Sequence, residues 1–349
     1  MVEYLRSCAH RLTAPATDDP VQLVSHVGAV QGQDLEMCKW AVGMRLATPS
    51  LVAVREAIDE ARIVRLHVMR PTWHLVAAED VRWILSVNKK RLRATYMAYW
   101  GKRWDIGESD IARFHDAAAR VLSGTDGLTM QEATAALNEA GEGWNIDQVK
   151  MMLTVGEVEG FICNGRQRGR KNTYALLDER VPATAEIPRE EALARLARVY
   201  FRSHSPASKA DFEWWSGLSG TEAREAMEAI GSELIADRYE GQKLFVHTSL
   251  AKGGAVGDEV HLLPPYDEYL IAYRDRSHVL DPTHTAKAHN GFGIFHPVVM
   301  HRGRVVGNWK KLTKKGGIEI ETTFFDHTAT PTKQQIASAT ERYLAFLQS

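Results

Sequence analysis

A chain of 349 residues is long enough for two or three domains and for a core that needs no disulfide or metal staple. Its 43 Lys+Arg against 44 Asp+Glu leave a net charge of -1, which excludes a uniformly basic binder but not a local basic face. Hydrophobic residues at 44% and charged residues at 25% exclude a disordered or collagen-like chain.

Three cysteines, Cys8, Cys38 and Cys163, are odd in number and lack CxxC spacing. Neither a disulfide framework nor a four-cysteine zinc site is expected. The first turns carry Glu3, Arg6 and His10 rather than an apolar core with a cleavage site, and no run of about 18 apolar residues occurs. No secretory leader and no membrane span are expected, and the cytoplasm is the default compartment.

In chain order, a plan of three helices and a hairpin recurs. Val24, Val27 and Val30, then Leu35, Trp40 and Met44, have helical spacing interrupted at Gly32, and a helix near Leu51–Glu60 follows. Residues 63–68 alternate as a strand, Pro71 breaks it, and Trp73–Val76 returns. A second unit opens at Ser109-Asp110-Ile111. Thr129 and Glu132 form a capping box. Asn145 or Asp147 opens a third helix that stops at Gly160. Phe161–Cys163 and Tyr174–Leu177 then pair around a long basic tip. A third unit has helices over Glu190–Arg202, Ser208–Trp215 and Thr221–Ile230, then a hairpin turning at Glu240-Gly241. After Gly253-Gly254 the pattern changes to strands at Phe295–His301, Arg304–Trp309 and Ile318–Phe325, with a turn at Gly316-Gly317 and a closing helix at Lys333–Leu347.

Three helices followed by a two-stranded wing make the winged-helix pattern, whose third helix commonly enters the major groove. The alternative is a packing unit with no nucleic-acid contact, because fold alone does not set function. Three windows are basic and lack acids: Lys89–Arg103, the tip Arg166–Lys171, and Arg302–Lys315. Such clusters suit phosphate contact, or else are solvated faces.

Several motifs carry a family resemblance. Ala29-Val30-Gln31-Gly32-Gln33-Asp34 with Trp40-Ala41 and Arg45-Leu46 resembles the start of the AlkZ/YcaQ family of tandem winged-helix proteins. So do Val68-Met69-Arg70-Pro71-Thr72-Trp73-His74-Leu75-Val76, His204-Ser205-Pro206-Ala207 with 211–218, Leu262–Leu270 with Tyr273–Arg276, and Gly303–Lys310. The order is preserved over nearly the whole chain. The resemblance implies an α+β, mainly α fold, with three tandem winged helix-turn-helix units forming a concave surface and a C-terminal β-rich, barrel-like domain. Here these would be residues 1–105, 106–182, 183–252 and 253–349.

It also implies a DNA glycosylase that releases N7-alkylated guanines and unhooks interstrand crosslinks. The signature is a glutamine, an apolar residue, then glutamine or aspartate. Gln31 and Gln33 match its polar positions, and Gly32 replaces the apolar one.

On a regular helix, residues two apart diverge, so the two amides cannot share a face. If Gly32 ends the first helix and Asp34 caps one starting at Leu35, they converge at a helix-turn-helix corner. Neutral amides are poor bases but can orient water and stabilise developing charge. That suffices for a leaving group that is already cationic. Asp34 is the rival base, and a plain polar turn is the alternative.

Arg70, Thr72 and His74 would share one strand face as a lesion wall or phosphate clamp, with Trp73 opposite. The expected DNA contacts are Arg70, Thr72, His74, Arg166, Arg168, Arg170, Lys171 and Lys310. Asp267 and Glu268 are expected to pair with Arg274 or Arg276, and Trp214-Trp215 to be core. His278, His284, His289, His296 and His301 lack metal-ligand spacing, so no metal and no cofactor are expected. The expected partner is duplex DNA, alkylated, bound by a monomer. A non-catalytic, regulatory DNA-binding protein is the alternative, as is a scaffold.

Overall fold

A computed structural model describes residues 1–250, 257–315, 317–326 and 330–349. Gly253, Gly254 and Gly316 lie outside them. The chain is α+β and mainly α, and it forms two compact units: residues 1–55 with 193–349, and residues 56–192.

In the first unit, helix Pro20–Val27 starts on Asp19, whose carboxylate accepts the Val21 N–H. It stops at Gly28, not at the expected Gly32. Gly28 has φ 86°, the left-handed region that only glycine enters cheaply, and a Cβ there would lie 2.4 Å from Val199 Cγ1. The early stop leaves Val30–Gln31 extended as a short strand. Asp34 then caps helix Leu35–Gly43 as expected, accepting from the Glu36 and Met37 N–H groups.

Later in this unit, Ser208 caps Lys209–Ser216, and Ser219 rather than Thr221 caps Gly220–Ala229, each in a capping box. Strands Leu234–Tyr239 and Gln242–His247 pair antiparallel. They turn at Glu240-Gly241, where φ is 50° and 83°, the positive pair that a two-residue hairpin turn needs.

The C-terminal strands Val260–Leu263, Val298–His301, Arg304–Lys314 and Gly317–Phe324 form an antiparallel sheet in the order fourth, third, second, first. Its register shifts between Val299 and Met300, a bulge that bends the sheet. The closing helix Lys333–Gln348 packs Tyr343 and Phe346 against Trp40. Both indoles of this core are satisfied by one strand: Trp40 Nε1 donates to Leu262 O and Trp309 Nε1 to Leu263 O, each at 2.7 Å.

In the second unit, strands Ile63–His67 and Trp73–Ala77 pair in register from Ile63↔Ala77 to His67↔Trp73. Helix Val81–Tyr96 follows and continues through a π-helical turn, Met97–Gly101. Helices Glu108–Leu122, Met130–Glu139 and Ile146–Glu159 come next. Thr129 and Glu132 close the expected box, Asn145 is the third cap, and Gly160 stops that helix at φ 76°. Leu128–Thr129, Thr173–Leu176 and Ile162–Asn164 complete a three-stranded sheet in that spatial order. Phe114, Met152, Val155 and Ile162 are fully buried in its core.

Candidate functional site

The stretch between Gly28 and Asp34 is the centre of interest in the first unit. Gln31 is 4% exposed, whereas Gln33, two residues on, is exposed. The expected helix-turn-helix corner is therefore an extended segment entering a capped helix. Asp34 spends one carboxylate oxygen on two backbone N–H groups, each at 3.0 Å. That bonding favours its capping role over the role of base.

The extended segment is held by a residue that no local pattern picks out. The Gln31 N–H donates to Glu268 Oε1 at 2.8 Å. Glu268 is 2% exposed, and its Oε2 accepts from Trp215 Nε1 at 3.2 Å. His204 lies 3.8 Å from the same oxygen. Burial holds the His204 imidazole below its ordinary pKa, and burial holds His10, which stacks edge-on against it, well below.

Asp267 does not turn to Arg274 or Arg276. It meets Arg45 in a buried two-pronged pair at 2.7 and 2.9 Å and also caps the helix Glu268–Ile271. Arg45 further donates to His10 O and Ala41 O. Such a pair resists breaking because either partner alone would be a buried, unpaired charge.

Adjacent acids on a helix start diverge: Asp267 reaches Arg45, 222 residues away in sequence, and Glu268 reaches the Gln31 N–H, 237 residues away. The one local signal is that both acids sit among Tyr266, Tyr269, Leu270 and Ile271, a context that buries carboxylates.

The tryptophan pair also divides. Trp215 is fully buried, while Trp214 is 45% exposed with Nε1 bound to Ile271 O at 2.8 Å. Lys310 lies opposite Glu321 in the C-terminal sheet and pairs with it at 2.9 Å.

In the second unit, only His74 of the proposed clamp lies on a strand. Arg70 and Thr72 occupy the tight turn, where Arg70 N donates to Val68 O and Thr72 N to Arg70 O. Pro71 removes a ladder donor, and Met69 at φ 58° turns the chain. Their approach comes from the turn: His74 Nδ1 meets Thr72 O at 2.9 Å and its Nε2 meets Arg70 Nη2 at 3.4 Å. His74 is fully buried.

The basic tip between Ile162–Asn164 and Thr173–Leu176 exposes Arg166, Arg168, Arg170 and Lys171. Its backbone is fixed by Arg166 N to Asp126 O at 2.7 Å and Lys171 N to Arg168 O at 3.0 Å. Arg168 is engaged by Glu132, the residue that closes the capping box. Glu132 is held down to about 2, first by the Thr129 N–H and then by the Arg168 guanidinium. Among the described residues, Arg166, Arg170 and Lys171 make no ion pair.

The earlier basic window is structural in part. Arg93 is bound to Glu108 and Glu159, and Arg91 donates to Met69 O.

A family model for DNA glycosylase AlkZ-like proteins matches residues 24–346. The interstrand DNA cross-link repair glycosylase of Streptomyces sahachiroi is 25% identical over 336 residues, spanning 92% of this chain and 88% of that protein. The solved structure of Streptomyces sahachiroi DNA glycosylase AlkZ has a TM-score of 0.83 at 22% identity. That match covers 99% of this chain and 95% of that one, so the two share a fold. With the family model matched from within the helix Pro20–Val27 to within the closing helix Lys333–Gln348, this chain belongs to the AlkZ-like DNA glycosylase family.

Proposed function

We propose that the protein is a monofunctional, metal-free DNA glycosylase that hydrolyses the N-glycosidic bond of alkylated purines. N7-alkylguanine is the leading substrate, with interstrand crosslinks of the same chemistry included. The observation that carries this reading is the glutamine pair on a pinned backbone: Gln31 buried and tethered to Glu268, Gln33 open to solvent.

An N7-alkylated guanine is a cation in DNA and leaves as a neutral base, so it needs no general acid. The two amides then have enough to do: one orients the attacking water, and the other faces the oxocarbenium-like sugar. Preorganised dipoles of this kind are worth roughly a hundredfold to a thousandfold in rate each. Gly32 leaves the peptide between them without a side chain, and the Glu268 tether on the Gln31 N–H helps to fix its geometry.

The finer architecture belongs to the same proposal. Residues 1–105, 106–182 and 183–252 are three winged-helix units that bind DNA. Residues 253–349 are a β-rich domain whose bulged sheet suits a barrel-like curvature. Duplex DNA is the partner of a monomer. Arg70 and Thr72 meet it through their turn, with His74 bracing that turn from within. Arg166, Arg170 and Lys171 meet phosphates, while Arg168 and Lys310 do so only by leaving Glu132 and Glu321. No described helix is long and apolar enough to cross a membrane, and a cytoplasmic site of action fits the reading.

The test incubates excess protein with duplexes carrying one N7-methylguanine, with and without a nitrogen-mustard crosslink. Free base is expected, and Gln31→Ala and Gln33→Ala should each lower the single-turnover rate about a hundredfold. Folded protein that releases no base from either duplex overturns the catalytic reading. Unchanged rates in the variants remove the glutamines from it.

A further inference from the structure

We propose that residues 56–192 carry a separate binding pocket for a single purine base that is free of the duplex stack. The choice of a purine rests on the glycosylase reading; the pocket itself does not. A cavity of about 270 Å³ is lined by Trp73, Tyr96, Trp100, Trp104, His67 and Asp147 among others, all within this unit. That volume is near the lower limit of about 300 Å³ for small-molecule sites, so it suits one base rather than a nucleotide or a stacked pair.

The lining is unusual in kind. Four of its residues are large aromatics, and every base offers a flat face to stack on such rings. His67 lies 4.4 Å from the Trp73 ring and edge-on to Tyr96 at 5.8 Å, which builds one wall. His67 Nδ1 is committed to the buried Glu157, which also receives Trp73 Nε1. The pairing orients the imidazole and leaves Nε2 as the ring's remaining polar atom, suited to the edge of a base.

A second observation is independent of the lining. Helix Val81–Tyr96 continues as a π-helical turn, Met97–Gly101, and Trp100 sits on it with 39% of its surface exposed. π-Helical turns are rare and are found mostly at functional sites, because an inserted residue re-aims side chains at a cost in hydrogen bonding. Here the re-aimed residue is an aromatic left open to water at the pocket edge. Arg103 lies 5.7 Å from the Trp100 ring and 5.4 Å from the Trp104 ring. Arg103 thus lies near both indoles. Asp147, on the facing helix, supplies an acceptor at the rim for an exocyclic amine.

Calorimetric titration of the full chain with 7-methylguanine tests this. Saturable one-to-one binding is expected. Trp100→Ala should weaken it about tenfold or more, in line with the stacking contributed by a single aromatic, and Trp100→Phe should restore most of the affinity. Trp214→Phe, an exposed tryptophan in the other unit, should change it less than about twofold. No saturable binding at millimolar ligand, or equal affinity in Trp100→Ala, overturns the pocket. Base release from N7-methylguanine duplex without free-base binding sinks this proposal and leaves the glycosylase reading standing. Free-base binding without release does the reverse.

Discussion

The donors that Glu268 holds include the Gln31 N–H at 2.8 Å and the Trp215 indole at 3.2 Å, in a site where water cannot substitute for either. Glu268→Gln keeps one acceptor oxygen and turns an amide NH₂ towards the second donor. Glu268→Ala removes both acceptors and opens a void. A buried donor left unsatisfied costs about 1–3 kcal/mol. Glu268→Ala should therefore be less stable than Glu268→Gln by about that amount, read as the difference in urea unfolding free energies. Equal stabilities would mean that Glu268 does not anchor Gln31. At this scale the sequence was legible where chemistry is local. Asp34 reads as a cap because its carboxylate reaches N–H groups two and three residues on. Gly32 did not read correctly, since either glycine can stop a helix and the sequence alone does not show that Gly28 takes the positive φ and lies against Val199. Glu268 was not legible as a partner of Gln31, because nothing local encodes a contact across 237 positions.

Among the elements, the hairpin tip after Ile162–Asn164 divides its cations into two kinds. Arg168 is tied to Glu132, which is itself the N3 residue of the helix Met130–Glu139. Moving Arg168 to a phosphate would leave a carboxylate that the helix start still needs. Arg170 and Lys171 carry no such cost. If both meet phosphates, Arg170→Ala with Lys171→Ala should flatten the plot of log affinity against log salt by about 1.8, at roughly 0.9 per phosphate lost. Arg168→Ala should flatten it less, and should also weaken the Thr129 cap by loosening Glu132. A fluorescence-anisotropy salt series on an unmodified duplex checks this. An unchanged slope in the double variant removes the tip from the DNA contact. The tip was visible in the sequence because two apolar runs flank a basic one that contains no acid. The helix Val81–Tyr96 with its π-helical continuation was not. Lys89, Lys90 and Arg91 on its exposed side read as a charge patch, although Leu92 beside them is buried in the core. The four-stranded C-terminal sheet read well from its alternation and its turn at Gly303, except for Val260–Leu263, a short, wholly buried strand with no polar side to alternate.

Across the whole molecule, the opening charge balance has a consequence beyond DNA. Many acids and bases pair with one another, whereas several histidines are held as neutral rings largely out of water. Burial lowers His26 to about 4 and His261 to about 3, and it also lowers His10 and His204. In the unfolded chain each returns to about 6.5. Between the folded and unfolded values the unfolded state binds more protons, so stability is fully present above about pH 6.5 and is lost as pH falls below it. The carboxylates held low, such as Glu132, act only below about pH 4.5, so the interval from pH 6.5 to 5 isolates the histidines. Over that interval each ring that stays neutral loses up to about 2 kcal/mol, or about 4 kcal/mol for His26 and His261 together. Urea titrations at pH 7, 6 and 5 should show the unfolding free energy falling progressively, with the steepest loss below pH 6. His261→Asn, which has no titrating ring, should shift the midpoint at pH 7 but reduce the pH slope by about one proton. A pH-independent midpoint across this range would mean that the buried rings take up protons without unfolding.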